Sequence, residues 1–435
     1  MISRDKTIEP GSGSSRRDTA SWSADASVAL RPLPYPYKAA LAICSDLDET
    51  PTAGEYFDML RLLNTTETTR FGPGVGLEVG NTIYFDMPAS QFSYWNADEA
   101  ARENIRALIQ SGHIDCLHSF GDLASTRGHA GRALDELARH ACALKVWIDH
   151  AVAPSNFGAD IMRGSGDVEG SPAYHADLTC AFGIEYVWRG RVTSVIGQAV
   201  PRRLGGIAQA QHPLASGITV GKEAVKGMLA RTGHAKYTPH AVNDVLWDAT
   251  LRSGQPVTEF LRSNPSWAGI SVHETADGLG EVLTSGFLRR LVARRGACVL
   301  YTHLGKISGA GRTLNAPTRR ALDLLAEAHA SGDVLVTTTR RLLDLCRARR
   351  AVSWTTMAAG GGLRINLSTA ALGSVDQRPL DGLTFYVDEP TRTSLVVDAG
   401  QGRSLRINPP DDSGRASVSL AWPRLAFPRV LPCAG

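Results

Sequence analysis

The feature that most constrains the fold is an alternation of short apolar runs with amphipathic helical patterns between residues 36 and 346. Apolar residues recur at spacings of three and four in 56–63, 101–109 and 130–141, which predicts helices. Strands are predicted at 38–45, 79–85, 114–118, 144–150, 184–188, 269–273, 298–303 and 334–338. Alternating strands and helices form parallel sheets covered by helices, so we expect an α/β fold. No nucleotide-binding glycine loop follows a strand, which favours a (β/α) barrel over a doubly wound sheet.

The helical pattern stops near residue 350 and divides the chain. From 351 to 435, short strand-like runs such as "LRINL" and "LTFYVD" alternate with turn residues, which predicts a small all-β domain, interpreted as a sandwich. Residues 1–34 contain no strong structural pattern and are predicted to be a disordered tail. The α/β domain is therefore assigned to 35–350.

Composition excludes some partners and suggests a compartment. Lysine and arginine number 46 against 43 acidic residues, so net charge gives no reason to expect a nucleic acid partner. No apolar run reaches about 18 residues, which predicts no membrane span. The seven cysteines include no C-x-x-C pair, and we expect reduced thiols in a cytoplasmic protein.

Polar side chains stand at the ends of the predicted strands. In order along the chain they are Asp46 and Asp48, His118 with Asp122 nearby, Asp149 and His150, Arg189 and Arg191, and His303. The carboxyl ends of barrel strands meet at one mouth, so we expect these side chains to converge. Singly, each also has a structural explanation: an Asp-x-Asp pair caps turns, and a lone histidine is commonly a satisfied core group.

The two aspartates that follow the first strand point to a cation. Asp46 and Asp48 are one residue apart, and like charges at that separation push each other's pKa values apart. A bound cation would offset this repulsion and keep Asp48 ionised. A metal site at the end of the first strand is one explanation of the pair, and a turn or helix cap is the other.

Three short motifs resemble those of a known enzyme family. They are "SDLD" after the first strand, "SGHIDCLHSFGD" around the third, and "VLYTHLGK" around the seventh. Together they resemble the polysaccharide deacetylase family, carbohydrate esterase family 4, whose members are metal-dependent hydrolases on a distorted (β/α)7 barrel. The resemblance spans roughly residues 36–346 but rests on these three motifs.

The resemblance implies roles for individual residues. Asp46 would be the general base, Asp48 and His118 metal ligands, and His303 the general acid. The sequence departs from the family where a second metal-binding histidine is expected, because Asp122 occupies that place. The family's arginine-containing strand end is replaced by "WIDHAVAPSNFG", and its fourth motif is present only as "VWRGR".

Asp122 can still complete a metal site. If a helix begins at His118, Asp122 lies one turn away on the same face and shares an ion with it. Asp48, His118 and Asp122 would then hold one divalent transition metal, zinc first, with iron, manganese and cobalt as alternatives. His129 is a rival third ligand, although it is expected to belong to the following helix.

A polar, glycine-rich stretch at 163–178 predicts a loop over the barrel mouth. We expect substrate contacts from Tyr174 and His175 in this loop, and from Asp149, His150, Arg189 and Arg191 at the strand ends. A self-satisfied loop network and a solvated rim are the structural alternatives for these residues.

The expected function is removal of an N-acetyl or other acyl group from an amino sugar, in a glycan or glycoside precursor. One alternative is another C–N hydrolase, or a glycoside hydrolase, which needs two carboxyl groups about 5–10 Å apart and no metal. The other is a non-catalytic glycan-binding protein that uses the C-terminal β domain, a fold-level analogy only.

Overall fold

A computed structural model of the chain describes residues 28–47, 50–201, 213–233, 237–238, 242–264, 275–309, 311–372, 378–398, 400 and 402–430. Within these ranges the helices are α1 Ala53–Asn64, α2 Glu99–Ser111, α3 Arg127–Arg139, α4 Ala176–Phe182, α5 Pro213–Arg231, α6 Leu279–Val282, α7 Ser285–Arg294, α8 Ala316–Ala330 and α9 Thr339–Ala351. No helix in the described ranges is both long and apolar enough to cross a membrane.

The strands in the first part of the chain are β1 Val28–Leu30, β2 Ala39–Ser45, β3 Thr68–Thr69, β4 Gly72–Pro73, β5 Gly80–Ile83, β6 Ile114–His118, β7 Val146–Ile148, β8 Tyr186–Trp188, β9 Val192–Thr193, β10 Leu246–Thr250, β11 Pro256–Phe260, β12 Arg262–Ser263, β13 Ala297–Thr302 and β14 Val334–Thr337. Those in the last part are β15 Ser353–Ala359, β16 Gly362–Ser368, β17 Thr384–Val387, β18 Thr393–Val397, β19 Gly402–Arg403, β20 Arg406–Asn408 and β21 Ser417–Ser419.

The largest sheet is curled and rich in parallel pairs. Its strand order is β10-β11-β8-β7-β6-β5-β2-β13-β12-β9, and β14 also pairs with β2. Only the β10–β11 pair in this sheet is antiparallel among the described strands. Parallel neighbours place the carboxyl ends of β2, β5, β6, β7 and β13 side by side.

Strand β2 lies at the centre of this sheet. It pairs with β13 from Ala40 to Ser45, while β14 and then β5 pair along its other side. All seven residues of β2 are buried, which is why the run "AALAICS" is apolar up to Ser45 rather than alternating.

Seven of the eight predicted strands are confirmed as β2, β5, β6, β7, β8, β13 and β14, several of them shorter than predicted. The eighth, at 269–273, lies outside the described residues. The hairpin of β10 and β11 and the short strand β12 were not predicted. In strand β10, "LWDAT", only Leu246 is buried, so the strand lacks the apolar run that marks the central strands.

The predicted helices at 101–109 and 130–141 correspond to α2 and α3. The side chains of Ala101, Ile105, Leu108 and Ile109 in α2 are buried, as their spacing predicts. The Asp98 carboxylate accepts a hydrogen bond from the Ala101 amide at the start of α2, and Gly112 ends the helix with a φ of 86°.

The C-terminal region contains two four-stranded sheets, ordered β1-β17-β21-β20 and β15-β16-β18-β19. Strand β1 lies within the stretch that was predicted to be a disordered tail. Its pairing with β17 and the burial of Val28 and Leu33 show that residues 28–34 belong to the folded protein. Three apolar residues, Val28–Leu30, are too short a run to predict a strand.

The broad fold class is therefore confirmed: a mixed α/β protein with a curled, parallel-rich sheet and separate smaller sheets. The seven-stranded barrel and the sandwich remain predictions. Six cysteines in the described ranges are free, while Cys433 lies outside these ranges.

Candidate active site at the carboxyl end of the parallel sheet

Several of the predicted site residues meet where the central strands end. Asp46 follows β2, His118 ends β6, and His150 follows β7. The Nε2 atom of His118 lies 3.8 Å from Asp46 Oδ2, and the His118 and His150 rings are 4.8 Å apart between centroids. Asp46 and His118 are both buried, so this cluster is shielded from bulk water.

Asp46 forms a buried ion pair with Arg262, a residue that the sequence analysis did not identify. The two terminal nitrogens of Arg262 donate to Asp46 Oδ2 at 3.0 Å and to Oδ1 at 3.2 Å. Burial alone would raise the pKa of Asp46, but Arg262 lowers it below its ordinary value, with further lowering from His118 and His303. The Asp46 carboxylate is therefore held ionised and in a fixed orientation.

Arg262 is itself fixed on both faces. Its guanidinium carbon lies 4.0 Å from the centre of the Trp188 ring and 4.3 Å from that of Tyr301. It also donates a hydrogen bond to Cys44 Sγ at 3.0 Å. Burial would lower the pKa of Arg262, but Asp46 raises it above its ordinary value. Arg262 lies in β12, directly after a strand that was not predicted, so nothing in the sequence placed it beside Asp46.

His118 has the properties of a metal-binding imidazole. Its ring stacks on Tyr84 with centroids 4.4 Å apart. Its Nδ1 atom is buried and has no hydrogen-bond partner among the described residues. Burial lowers the pKa of His118 well below its ordinary value, although Asp46 acts in the opposite direction. A neutral imidazole with an unpartnered nitrogen can donate a lone pair to a metal.

Asp122 lies close to this cluster, but not on a shared helix with His118. Residues 119–126 form turns and α3 begins only at Arg127, so the expected one-turn relation between His118 and Asp122 is wrong. Ser119, Phe120 and Gly121 have φ values of 47°, 63° and 103°, which no helix contains. Gly121 is required in this turn because a Cβ there would lie 2.3 Å from the Asp86 carbonyl oxygen.

The turn directs Asp122 toward His150 instead. His150 Nδ1 donates to Asp122 Oδ1 at 2.7 Å, and this hydrogen bond lowers the pKa of Asp122. The ring of His150 packs between Asp122 and His118, with its edge toward Tyr84 at 5.4 Å. Two loops that follow different strands are thereby joined at the mouth of the site.

The predicted metal ligands are only partly described. Asp48 lies outside the described residues, while His118 and Asp122 lie within them. In the described part of the chain, no group of three histidine, cysteine or acidic side chains has the geometry of a metal site. His129 is the second residue after Arg127 in α3, and its Nδ1 lies 2.8 Å from Thr126 Oγ1.

His303, the predicted general acid, follows β13, which pairs with β2. Its Nε2 atom lies 3.0 Å from Tyr301 Oη, within hydrogen-bond distance. Tyr301 is the same residue that packs against Arg262, so His303 is connected to the Asp46 pair through one aromatic side chain. His303 is largely buried.

Asp149 anchors the loop that follows β7. It accepts hydrogen bonds from Trp147 Nε1 at 2.7 Å and from the amides of Phe157 and Gly158 at 2.9 and 2.8 Å. Burial raises the pKa of Asp149 to about 7, although these donors and Arg189 lower it. The carboxylate is buried and points into the protein, which favours a structural role over the predicted substrate contact.

The remaining predicted contacts lie in internal networks. His175 is buried, with Thr179 Oγ1 and the Ser155 carbonyl oxygen each 2.8 Å from one of its ring nitrogens. Arg127 packs over the Tyr174 ring at 5.4 Å. The structure places neither ring against Asp46 or His118 in any described contact.

Arg189 and Arg191 are held by acidic partners. Arg189 donates to Glu259 at 2.5 Å, and Arg191 donates to Asp160 at 3.0 Å. Glu259 also lies 3.5 Å from Arg191. These ion pairs favour the structural alternative, in which both arginines stabilise the rim rather than bind substrate.

The chain was compared with protein-family models, with curated protein sequences and with solved structures, and none of the three comparisons found a match.

Proposed function

We propose that the protein is a metal-dependent hydrolase that removes an acetyl or other acyl group from the nitrogen of an amino sugar. The observation that carries this proposal is the buried cluster of Asp46, Arg262 and His118. It combines a carboxylate held ionised with a neutral imidazole whose Nδ1 lacks a partner among the described residues.

The fold proposed for this activity is a distorted barrel of seven parallel segments. Support comes from the strand pairs that join β7 to β8, β8 to β11, β12 to β13, and β13 to β2. Strands β8 and β9 are separated by three residues, and β11 and β12 by one, so each pair can act as one barrel segment. This arrangement agrees with the resemblance to polysaccharide deacetylases.

The proposed metal ligands are Asp48, His118 and Asp122, with zinc as the first candidate. His118 fits this role because of its unpartnered nitrogen, and carboxylate and imidazole are both zinc ligands. His150 is the alternative to Asp122 as the third ligand. Its ring lies against His118, and its Nδ1–H donates to Asp122. Histidines that bind metals commonly donate their other nitrogen to a carboxylate in this way.

The metal would polarise the acyl carbonyl and lower the pKa of the attacking water. Asp46 accepts a proton from this water while the water oxygen adds to the acyl carbon. Arg262 keeps the Asp46 carboxylate ionised for that step. His303 donates a proton to the nitrogen as the C–N bond breaks. The products are a carboxylate and a free amine, which balances the reaction as a hydrolysis.

The test combines metal content with acyl release. Protein purified without chelators is analysed by plasma mass spectrometry, and acetate release is then measured over a panel of N-acetylated amino sugars. We expect about one transition-metal ion per chain, and turnover that falls by about 10²–10⁴-fold in Asp46→Asn and His303→Ala. His129→Ala is the control and should keep both its metal and its turnover.

Two results would contradict the proposal. Full turnover in both Asp46→Asn and His303→Ala would show that the assigned roles are wrong. Absence of metal after reconstitution with zinc, manganese and cobalt, together with glycan binding but no turnover, would favour the glycan-binding alternative.

A further inference from the structure

Helix α5 exposes four large apolar side chains and buries several polar ones, although Ala230 is also buried. The buried positions include Ser216, Thr219 and Glu223, whereas a surface helix normally packs its apolar face on the core. The exposed large apolar side chains of α5 are Leu214 at 84%, Ile218 at 49%, Val225 at 52% and Met228 at 60% relative exposure. Four of the nine most exposed large apolar side chains in the described ranges therefore lie on this one helix.

The exposed apolar residues form a single stripe. At 3.6 residues per turn, Leu214, Ile218, Val225 and Met228 fall within an arc of about 80°, and the buried Glu223 lies on the opposite side. The helix has 19 residues, so the stripe extends along several turns. Scattered exposed apolar side chains need no explanation, but a continuous stripe marks an interaction surface.

The charges beside the stripe are basic. Lys222 borders it on one side and Arg231 on the other, and both are exposed. The only acidic residue of α5 is Glu223, which is buried and forms an ion pair with Lys226 at 2.8 Å. An apolar stripe bordered by lysine and arginine is the pattern of helices that lie in the headgroup region of an anionic bilayer.

A second copy of the chain is a poorer occupant. Two α5 helices packed stripe to stripe would place basic residues, Lys222 and Arg231, along the borders of the contact, and α5 has no exposed acidic residue to pair with them across it. We propose that α5 docks the protein on the surface of an anionic lipid bilayer, with the stripe inserted among the headgroups. This role is independent of the proposed hydrolase activity.

The attachment of α5 to the sheet permits such docking. Asn243, which follows α5, donates through Nδ2 to the carbonyl oxygens of Gly197 and Val200, each at 2.9 Å. These bonds join the chain before α5 to the chain after it. Contact between the stripe and a bilayer would therefore leave the strand pairs of the large sheet in place.

The test is flotation of the full chain with lipid vesicles. Vesicles of phosphatidylcholine are compared with vesicles that also contain phosphatidylglycerol, and we expect binding to the anionic vesicles that weakens as salt is added. The double variant Ile218→Gln, Val225→Gln should lower the partition coefficient by more than about tenfold. Lys222→Gln with Arg231→Gln, which removes two positive charges, should lower it by about thirtyfold.

The control is Met357→Gln with Ile407→Gln, which changes two exposed apolar side chains in the C-terminal sheets and should leave binding unchanged. Thermal melts verify that each variant is folded, as expected for substitutions at exposed positions. Absence of binding to anionic vesicles, or equal binding by the wild type and the α5 variants, would overturn the proposal. The proposal would also be overturned if the wild type sediments as a dimer and the double variant Ile218→Gln, Val225→Gln sediments as a monomer. The stripe would then bind a second copy of the chain.

Discussion

The Asp46–Arg262 pair is a residue-scale feature whose two members depend on each other. Both side chains have no exposed surface, and Arg262 lies between two aromatic rings that cannot replace a carboxylate as its counter-ion. Removing one member of a buried ion pair leaves the other charge uncompensated, which costs about 3–5 kcal/mol. Removing both members avoids that cost.

We therefore expect Arg262→Met to lower the free energy of unfolding by about 3–5 kcal/mol, and Asp46→Asn with Arg262→Met to recover much of the loss. Urea denaturation of the wild type, both single variants and the double variant measures this coupling. Arg191→Met, which removes an arginine from a partly exposed ion pair, is the comparison. Strictly additive effects of the two single substitutions would show that the pair is not coupled.

The contact between Asp122 and His150 leads to a second prediction at the same scale. If His150 is the ligand and Asp122 orients it, His150→Ala removes the nitrogen that binds the metal. Asp122→Asn removes only the carboxylate that orients the His150 ring. With His150 as the third ligand in place of Asp122, we expect metal affinity to fall further in His150→Ala, and by about 10–100-fold in Asp122→Asn. Competition with a chromogenic chelator measures both affinities. A larger loss in Asp122→Asn than in His150→Ala would instead assign Asp122 as the ligand.

At the scale of elements, β6 and α9 are linked by a buried acid. Asp115 in β6 accepts a hydrogen bond from the Arg340 amide in the first turn of α9 at 2.7 Å. Burial raises the pKa of Asp115 from 3.8 to about 6, against the lowering effect of that bond. An acid whose pKa is raised on folding stabilises the protein while protonated, and stability falls as the pH rises from about 3.8 to 6.

Asp115→Asn should remove this pH dependence while keeping an oxygen that accepts from the Arg340 amide. We expect it to raise the free energy of unfolding above pH 6 by up to about 3 kcal/mol, and to change it little below pH 4. Denaturant titrations across this pH range measure the difference between variant and wild type. Asp135→Asn, at an exposed position of α3, is the control, and a difference that does not vary with pH would contradict the assignment.

The elements also show where sequence patterns predict structure. Strands β2, β13 and β14 were predicted because both of their faces are buried, so their runs are mostly apolar. The β10–β11 hairpin was missed because its strands are partly exposed and contain polar residues. Without a predicted β11, Arg262 could not be placed at the end of a strand beside Asp46. The spacing of four residues between His118 and Asp122 is compatible with a helix, but it carries no information on the positive φ angles in the turn at 119–126.

At the scale of the whole molecule, the sequence pattern suggested two domains, but the contacts join them. Leu342 and Leu345 of α9 share one apolar cluster with Trp188 of the large sheet and with Phe385 in β17 of a C-terminal sheet. A sequence pattern gives element types but not which faces meet, so this shared core could not be predicted from it.

Further contacts join the two ends of the chain to this core. Arg31, next to β1, donates to Asp411 at 3.0 Å and to the Tyr37 carbonyl oxygen at 2.7 Å. Near the other end, Arg424 donates to the carbonyl oxygens of Gly76 and Leu77 in the α/β region. The boundary predicted at residue 350 therefore separates two patterns of secondary structure. Side chains on the two sides of this boundary pack against each other.

We expect the full chain to unfold in one calorimetric transition and the fragment 35–350 to be aggregation-prone or to melt far below it. The fragment would lack Leu372 and Leu380, which lie in segments that pack against α9 and belong to the same apolar cluster, and burial of each such side chain stabilises the fold by about 1.5–3 kcal/mol. Scanning calorimetry of both proteins measures this, with a fragment from residue 28 to the C-terminus as the control that keeps β1. A fragment 35–350 that melts at the temperature of the full chain would show that the boundary at residue 350 is a true domain boundary.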